Sequence, residues 1–261
     1  MSDTYKKLKE IIKLNTVERL VYLQEELNKL ELHNQSRTYD AISYRKGAKF
    51  SLNFSNNKDK EIWLTANYDT YQNFPSANNN ASGVIALLEL GSRLKKEDLP
   101  VDVRLFFLDS ALDPKLVSTG KRDPDFVPGS ELLLTYLIDH ETDFIDKYLG
   151  TITVQAVGKG NLCVFKKTGK KEENSEYLND KIISCGRTNG TIVDLQEQSP
   201  LADNLSFLKQ GLAATVLSRY HEGAWHKMQT PKDDINNVNS QLVDETTEFL
   251  LKFLQTFKEQ K

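Results

Sequence analysis

The sequence predicts an α/β fold, a three-layer αβα sandwich with a mostly parallel mixed sheet. Beyond about residue 60, segments of helical periodicity alternate with short β-prone segments. This alternation is typical of a parallel sheet covered by helices on both faces. The chain has 261 residues, of which 39% are hydrophobic, so one α/β domain can bury its own core. We therefore predict a single domain over 1–261, with helices in 1–35 packed on it.

The first sixty residues contain helical and strand patterns in turn. Apolar side chains recur at helical spacing through 8–14 and 17–30, with charges between them, which indicates amphipathic helices. Two β-prone runs follow at 48–54 and 61–66. The polar stretch 55–60 between them favours a turn, so this pair is predicted to form a hairpin.

The remaining pattern supplies the other elements of the predicted sandwich. Helices are predicted at 81–96, 130–148, 176–183, 204–209 and 241–258, and strands at 101–108, 151–157, 162–165, 191–195 and 213–217. Ligands in open parallel sheets bind at the carboxyl ends of the strands. The residues that directly follow the strands are therefore the candidate site residues.

Composition argues against several classes of function. The 34 basic and 37 acidic side chains give a net charge of -3 without a long run of like charge, so no nucleic-acid partner is expected. The charged first ten residues do not suit a signal peptide, and no segment approaches the roughly 18 apolar residues of a membrane span. We expect a cytoplasmic protein without a membrane partner. Cys163 and Cys185 lie far apart and are predicted to be reduced thiols near the core.

Polar motifs follow the predicted strands in a fixed order along the chain. They are Asn67-Tyr68-Asp69-Thr70, Asn78-Asn79-Asn80-Ala81-Ser82-Gly83, Asp109-Ser110-Ala111-Leu112, Gln155, Ala202-Asp203-Asn204 and His226. This set resembles the dizinc aminopeptidase and glutaminyl cyclase family, whose strand ends carry A-H-x-D, G-A-x-D-N-A-S-G, F-x-D-x-E-E, I-N-x-D, S-D-H and a final histidine. The resemblance extends from about residue 62 to the last helix. It implies the zinc-exopeptidase fold, and also a cis peptide bond between Asn79 and Asn80.

The family holds two zinc ions with histidines and carboxylates, and a separate glutamate takes a proton from the attacking water. The resemblance implies that the first zinc histidine falls on Asn67 and the bridging aspartate on Asn79. It places another aspartate ligand on Gln155. The final histidine ligand falls on His226, which keeps its identity, and Asp69 keeps the position that orients the first ligand.

The general base and its neighbouring ligand are the other two roles. They fall on Ala111 and Leu112, which offer no lone pair. Amide oxygens are poor zinc ligands, so no catalytic residue and no metal cofactor are expected. The amides retain hydrogen-bonding capacity without the mutual repulsion of buried carboxylates. The expected binding residues of this metal-free pocket are Asn67, Asp69, Asn79, Leu112, Gln155, Asn204 and His226.

Three functions follow as hypotheses. The first is a catalytically inactive aminopeptidase-like protein whose pocket binds a partner or ligand, such as a peptide amino terminus or a small polar molecule. The alternative is an active metallopeptidase with a rebuilt mononuclear zinc site, in which His226 and His221 join a carboxylate of Asp69, Asp109 or Asp203. The third is a structural subunit that forms a homo-oligomer, with the first 30 residues as its contact surface.

Overall fold

The computed structural model describes residues 2–30, 35–40, 46–54, 58–109, 126–141 and 143–257. The described helices are α1 Asp3–Ile11, α2 Thr16–Lys29, α3 Ser82–Leu94, α4 Gly129–His140, α5 Phe144–Lys147, α6 Glu176–Thr188, α7 Asn204–Lys209, α8 Glu222–Trp225 and α9 Ser240–Leu254. A turn of π-helix, Ala77–Ala81, directly precedes α3, and a 3-10 turn, Ile235–Asn237, precedes α9.

Nine strands of the described residues form one sheet. The strands are β1 Gln35–Asp40, β2 Lys46–Phe54, β3 Glu61–Asn67, β4 Asp102–Leu108, β5 Tyr148–Val154, β6 Asn161–Thr168, β7 Glu172–Glu173, β8 Asp194–Ser199 and β9 Ala214–Tyr220. Their order is β1-β2-β4-β3-β5-β9-β6-β7, and β8 pairs with β6. The four central strands β4, β3, β5 and β9 are parallel, whereas β2 and β6 flank them in antiparallel orientation.

Helices cover both faces of the sheet because the central strands are apolar on both sides. Successive side chains of a strand point to opposite faces: in β3, Ile62 and Leu64 belong to the core under α3 and α9, whereas Trp63 belongs to the core under α4 and α7. The predicted αβα sandwich is therefore confirmed. Leu8 of α1 and Leu23 of α2 are fully buried in the same core as α3 and α9, so the amino-terminal helices pack on the sheet's α3 face.

Capping side chains explain where several helices begin. Ser2, Asn15, Ser175 and Asn239 each accept a backbone N–H of the helix that follows. At α2 this is a capping box, because Glu18 also accepts the backbone N–H of Asn15. Such caps satisfy donors that the helix cannot satisfy internally.

The predicted hairpin between 48–54 and 61–66 is wrong. Strand β2 pairs antiparallel with β4, and β3 pairs parallel with β4, so β4 lies between the two predicted partners. Every residue of β3 is buried, as is usual for a central parallel strand. The turn-rich sequence between β2 and β3 indicates a change of direction, but strand pairing depends on burial across the whole sheet.

Other elements begin or end at residues different from those predicted, because tertiary contacts override local periodicity. The helix predicted over 130–148 ends at His140, α5 follows, and β5 begins at Tyr148. Phe144 and Tyr148 both pack against Trp63 of β3, so the chain turns back to the sheet here instead of continuing as a helix. Cys163 and Cys185 are buried free thiols, as predicted. No helix in the described ranges is long and apolar enough to span a membrane.

Candidate functional site

Strand ends and one turn meet at the carboxyl edge of the central sheet. Strand β3 ends at Asn67, and Gln155 directly follows β5. The two strands are adjacent and parallel, so their ends lie side by side. The π-helical turn that carries Asn78, Asn79 and Asn80 packs at the same edge, where its side chains bond both strand ends.

Asn80 is the central polar side chain of this edge, and it is fully buried. Its Oδ1 accepts the backbone N–H of Ala156 at 3.1 Å, and its Nδ2 donates to the carbonyl of Val154 at 3.0 Å. These two backbone contacts fix the orientation of the amide. Its Nδ2 consequently also donates to Asn67 Oδ1, at 3.1 Å.

The amides at the strand ends form two linked pairs of donor and acceptor. Asn67 Nδ2 donates to Asp69 Oδ1 at 3.1 Å, and Gln155 Nε2 donates to Asn79 Oδ1 at 3.1 Å. The side-chain oxygens of Asn67 and Asn79 therefore both accept protein N–H groups. All four residues are buried but retain a small exposed fraction, so solvent reaches part of each residue.

The backbone of the turn has two special features. The peptide bond between Asn79 and Asn80 is cis, which confirms the expectation from the family resemblance. Gly83, in the first turn of α3, lies so close to Asn80 Oδ1 and to the carbonyl of Val154 that a Cβ would overlap both atoms. A glycine is required here by close packing rather than by an unusual backbone angle.

Ser82 and Asn78 connect the turn to the segment after β5. Ser82 Oγ donates to the carbonyl of Asn78 at 2.7 Å and accepts the backbone N–H of Val157 at 3.0 Å. Asn78 Oδ1 accepts the backbone N–H of Gly158 at 2.9 Å. These contacts give Ser82 a structural role at the start of α3.

Asp233 is an anion beneath the turn that is not among the predicted site residues. Its carboxylate accepts the backbone N–H groups of Asn78 at 2.9 Å and Asn79 at 3.0 Å, and the Asn237 side chain at 2.8 Å. Burial raises the pKa of Asp233, although these three hydrogen bonds and the charge of Arg19 oppose that rise. The sequence offers one signal for this residue, its position just after the final histidine in a polar turn.

Arg19 of α2 is the second residue that sequence reasoning missed. Its guanidinium is fully buried and donates to the carbonyls of Tyr68 and Pro75, which flank the site amides. Periodicity reveals only that Arg19 lies on an amphipathic helix. Its proximity to the strand ends is a consequence of how that helix packs.

The structure places the other predicted residues elsewhere or outside the described ranges. Asn204 is fully buried, but its Nδ2 donates to Thr168 Oγ1 at 2.8 Å and Asn174 Oδ1 at 2.7 Å in a separate network. Ala111 and Leu112 lie outside the described residues.

His226 lies at the carboxyl end of α8, with its side chain 78% exposed and its Nε2 3.7 Å from Glu222 Oε1. His221 lies at the other end of α8 and is also exposed. In the part of the chain that the structure describes, no hydrogen bond or ion pair connects His226 to Asn67, Asn79 or Gln155. Across the same ranges, no three His, Cys, Asp or Glu side chains lie close enough together to hold a metal ion.

The sequence model of peptidase family M28 matches residues 50–254, well over half of the chain. The chain belongs to peptidase family M28. This assignment confirms the family resemblance seen at the strand ends. No curated protein matches the chain by sequence.

Solved structures share the M28 fold of this chain. A Bacteroides thetaiotaomicron glutaminyl cyclase, bound to N-acetylhistamine, is 18% identical with a TM-score of 0.78, and the match covers 97% of this chain and 96% of that one. A leucine aminopeptidase precursor from the same organism is also 18% identical, with a TM-score of 0.76 and the same coverage. An Acidobacteriales bacterium glutaminyl cyclase is 13% identical, with a TM-score of 0.78 over 99% of this chain and 94% of that one. The likeness confirms the fold.

Proposed function

We propose that this M28 chain is a catalytically inactive aminopeptidase-like protein whose metal-free pocket binds a peptide amino terminus or a small polar molecule. One observation carries the proposal: the amide oxygens of Asn67 and Asn79 accept hydrogen bonds from Asn80 and Gln155. In the dizinc enzymes, the residues at the positions of Asn67 and Asn79 bind metal. Here the oxygen of Asn67 accepts from Asn80, and the oxygen of Asn79 accepts from Gln155.

The residues at these positions do not fit two zinc ions. Zinc in proteins is held by thiolate, imidazole nitrogen or carboxylate oxygen. Asn67, Asn79 and Gln155 supply none of these, and at the positions of the general base and its neighbour the chain has Ala111 and Leu112. A single imidazole, His226, falls short of the three protein ligands that catalytic zinc requires. No hydrolytic step is therefore assigned to this pocket.

The polar floor suits recognition without chemistry. Asp69 supplies a negative charge next to Asn67, which matches the ammonium group of a peptide amino terminus. The amides supply donors and acceptors that are held in fixed orientations by their neighbours, and such preorganisation lowers the cost of binding. A neutral polar molecule uses the same amides without the ammonium contact.

Metal content gives the first test. The protein is purified with a chelator, dialysed against zinc or cobalt, and analysed for bound metal. We expect no stoichiometric metal in the wild type and stoichiometric zinc in the restored variant Asn67→His/Asn79→Asp/Gln155→Asp. Chelator-sensitive zinc in the wild type that both His226→Ala and His221→Ala remove would instead support the mononuclear metallopeptidase.

Turnover is measured on the same samples with aminoacyl and glutaminyl-peptide substrates. We expect no reaction above the uncatalysed rate, with or without added metal. Metal-dependent turnover that disappears in His226→Ala contradicts the proposal.

Ligand binding is measured by calorimetry with short peptides whose amino termini are free or acetylated. We expect Asp69→Asn to weaken binding of the free amino terminus, while Asp139→Asn on the exposed end of α4 leaves it unchanged. Equal binding of free and acetylated peptides would favour a neutral polar ligand. An absence of binding to either peptide and to small polar molecules would contradict a ligand-binding pocket.

A structural role through α2 is a second candidate function. Val17 and Val21, one turn apart on this helix, are 71% and 51% exposed, which is unusual for apolar side chains so close together. Sedimentation of the wild type and of Val17→Asp/Val21→Asp tests it. An oligomer that the double variant dissociates supports this role, whereas a wild-type monomer rules it out.

A further inference from the structure

Arg19 connects the amino-terminal helices to both ends of the loop 68–76, which joins β3 to the π-helical turn. Its Nε donates to the carbonyl of Ile11, the last residue of α1, at 3.2 Å and to that of Leu14, in the turn before α2, at 3.3 Å. Its Nη1 donates to the carbonyl of Tyr68 at 3.4 Å, and its Nη2 to that of Pro75 at 2.6 Å. Tyr68 lies between the site residues Asn67 and Asp69, and Pro75 lies just before the π-helical turn.

A second side chain of α2 contacts the same loop near its start. Thr16 Oγ1 accepts the backbone N–H of Thr70 at 2.9 Å and lies 3.2 Å from Thr70 Oγ1. The loop after β3 is therefore held by two residues from the same face of α2. This helix is consequently part of the site's framework as well as a cover for the sheet.

Arg19 is also a buried positive charge within electrostatic range of two buried carboxylates, and its contact with the carbonyl of Tyr68 places it near Asp69, the next residue in the chain. The charges of Asp69 and Asp233 favour its protonated form, and both carboxylates are themselves buried. Desolvation lowers the pKa of Arg19 to about 10, so the guanidinium remains charged at neutral pH. Buried charges are costly unless they are compensated, and each of these groups compensates the others.

We propose that Arg19 is the resident cation of this pocket, a positioning residue that balances Asp69 and Asp233 and so holds both ends of the loop 68–76 in place without a metal ion. The inference rests on the proposed metal-free function. In the dizinc relatives, the metal ions supply the positive charge at these strand ends. In this chain a side chain of the amino-terminal helices supplies it from behind the floor of the pocket.

A charge-balancing role makes a prediction that simple hydrogen bonding does not. The hydrogen bonds of the guanidinium to Ile11, Leu14, Tyr68 and Pro75 all end on backbone carbonyls. Their loss therefore costs the same free energy whether or not Asp69 is ionised. The charge, by contrast, matters only while the carboxylates are charged. Removing a carboxylate should therefore reduce the cost of removing Arg19.

A double-mutant cycle measures this coupling in the full chain. Unfolding equilibrium constants are determined by denaturant titration for the wild type, Arg19→Gln, Asp69→Asn and the double variant. Arg19→Gln increases the unfolding equilibrium constant by some factor in each background. We expect this factor to be about ten times smaller in Asp69→Asn than in the wild type. The same cycle with Asp233→Asn should show coupling of the same sign. Additive effects, with coupling below about two-fold in both cycles, would overturn the proposal.

Two further variants separate charge from packing. Arg19→Lys keeps the charge with fewer donors, so it should retain coupling to Asp69→Asn. Arg93→Gln on α3 removes an arginine paired with Glu248 and should show none. If Arg19→Gln does not fold, Arg19→Lys should fold, because it keeps the charge that balances both carboxylates. An Arg19→Lys variant that also stays unfolded overturns the proposal.

Metal analysis of the same samples distinguishes a failure of the proposed metal-free function from a failure of the charge-balancing role of Arg19. Zinc in the wild type together with strong coupling means that the metal-free function is wrong while Arg19 still balances the carboxylates. A metal-free wild type with additive variants means that Arg19 holds the loop 68–76 by hydrogen bonds alone.

Discussion

Asn80 Nδ2 donates to Asn67 Oδ1 at 3.1 Å, across thirteen positions of sequence. The bond has a fixed direction, because the backbone of Ala156 and Val154 orients the Asn80 amide. Asn67 must therefore accept from Asn80 with its oxygen and donate to Asp69 with its nitrogen. This order of donors and acceptors directs the Asn67 oxygen towards protein.

Replacing Asn80 should destabilise the fold strongly. Asn80→Ala leaves buried partners on Asn67, Val154 and Ala156 unsatisfied, and we expect a loss of about 2–4 kcal/mol in the free energy of unfolding. Urea denaturation measures it. Asn236→Ala, at an exposed position, should change stability by less than about 0.5 kcal/mol. Equal effects of the two variants would contradict a central role for Asn80.

Two glycines of α3 should respond oppositely to alanine. Gly83→Ala places a methyl group onto Asn80 and Val154, so we expect a loss of about 3 kcal/mol or more. Gly91→Ala meets only ordinary contacts, with Leu105 and Leu52 side-chain carbons at 3.5 Å, and should stabilise the helix by up to about 1 kcal/mol. Thermal unfolding of the pair tests the packing at the turn. A well-tolerated Gly83→Ala would show that the turn adjusts freely.

A negative charge at position 155 should lower the stability of the fold, whatever the length of the side chain. Gln155→Asp and Gln155→Asn have the same shape, but the aspartate faces the oxygen of Asn79 with a negative charge. We expect Gln155→Asp to be less stable than Gln155→Asn by about 1–3 kcal/mol at pH 7. The difference should narrow under acidic conditions, where the new carboxyl is protonated. Identical stabilities at pH 7 would argue against an electrostatic reason for the amide.

Alkaline pH should destabilise the protein through its buried tyrosines. Tyr148 Oη donates to the carbonyl of Ala213 at 2.7 Å and lies 2.8 Å from Thr151 Oγ1. Burial raises the pKa of Tyr148, whereas in the unfolded chain a tyrosine ionises near its ordinary value of about 10. The unfolded state therefore releases protons first, and the stability present below pH 10 falls as the pH rises.

At pH 11 each buried tyrosine with a raised pKa lowers the free energy of unfolding by about 1.4 kcal/mol relative to neutral pH. Tyr148→Phe should therefore lose less stability between pH 8 and pH 11 than the wild type, as denaturant titrations at both pH values will show. Tyr177→Phe, at a position 54% exposed, should match the wild type. Equal losses in all three proteins would contradict the assignment to Tyr148.

Sequence patterns predicted the parts of the site that are local in the chain. The motif from Asn78 to Gly83 predicted the turn before α3, and the family resemblance predicted its cis peptide bond. The short helix Asn204–Lys209 was predicted with its observed bounds. Each of these features depends on residues next to one another, which is why periodicity and motifs reveal them.

Contacts between distant segments escaped sequence reasoning. The pairing of β2 with β4 in place of β3 depends on burial across the sheet. Asn204 belongs to one of the strand-end motifs, yet its side chain bonds Thr168 and Asn174 instead of the amides at the ends of β3 and β5. Asp233 accepts a hydrogen bond from Asn78 in the turn, 155 positions away in the chain. Spacing along the chain does not predict such long-range contacts.

The sequence alone determined the α/β class, the M28 family and the residue types at the strand ends, because these follow from local pattern and side-chain chemistry. Only the tertiary structure decided that the amides bond one another and that Arg19 lies behind them. Hydrogen bonds and charge compensation act over a few ångströms in space. They therefore depend on which segments the fold brings together, as when Arg19 of an amphipathic helix donates to the backbone that follows strand β3, far along the chain.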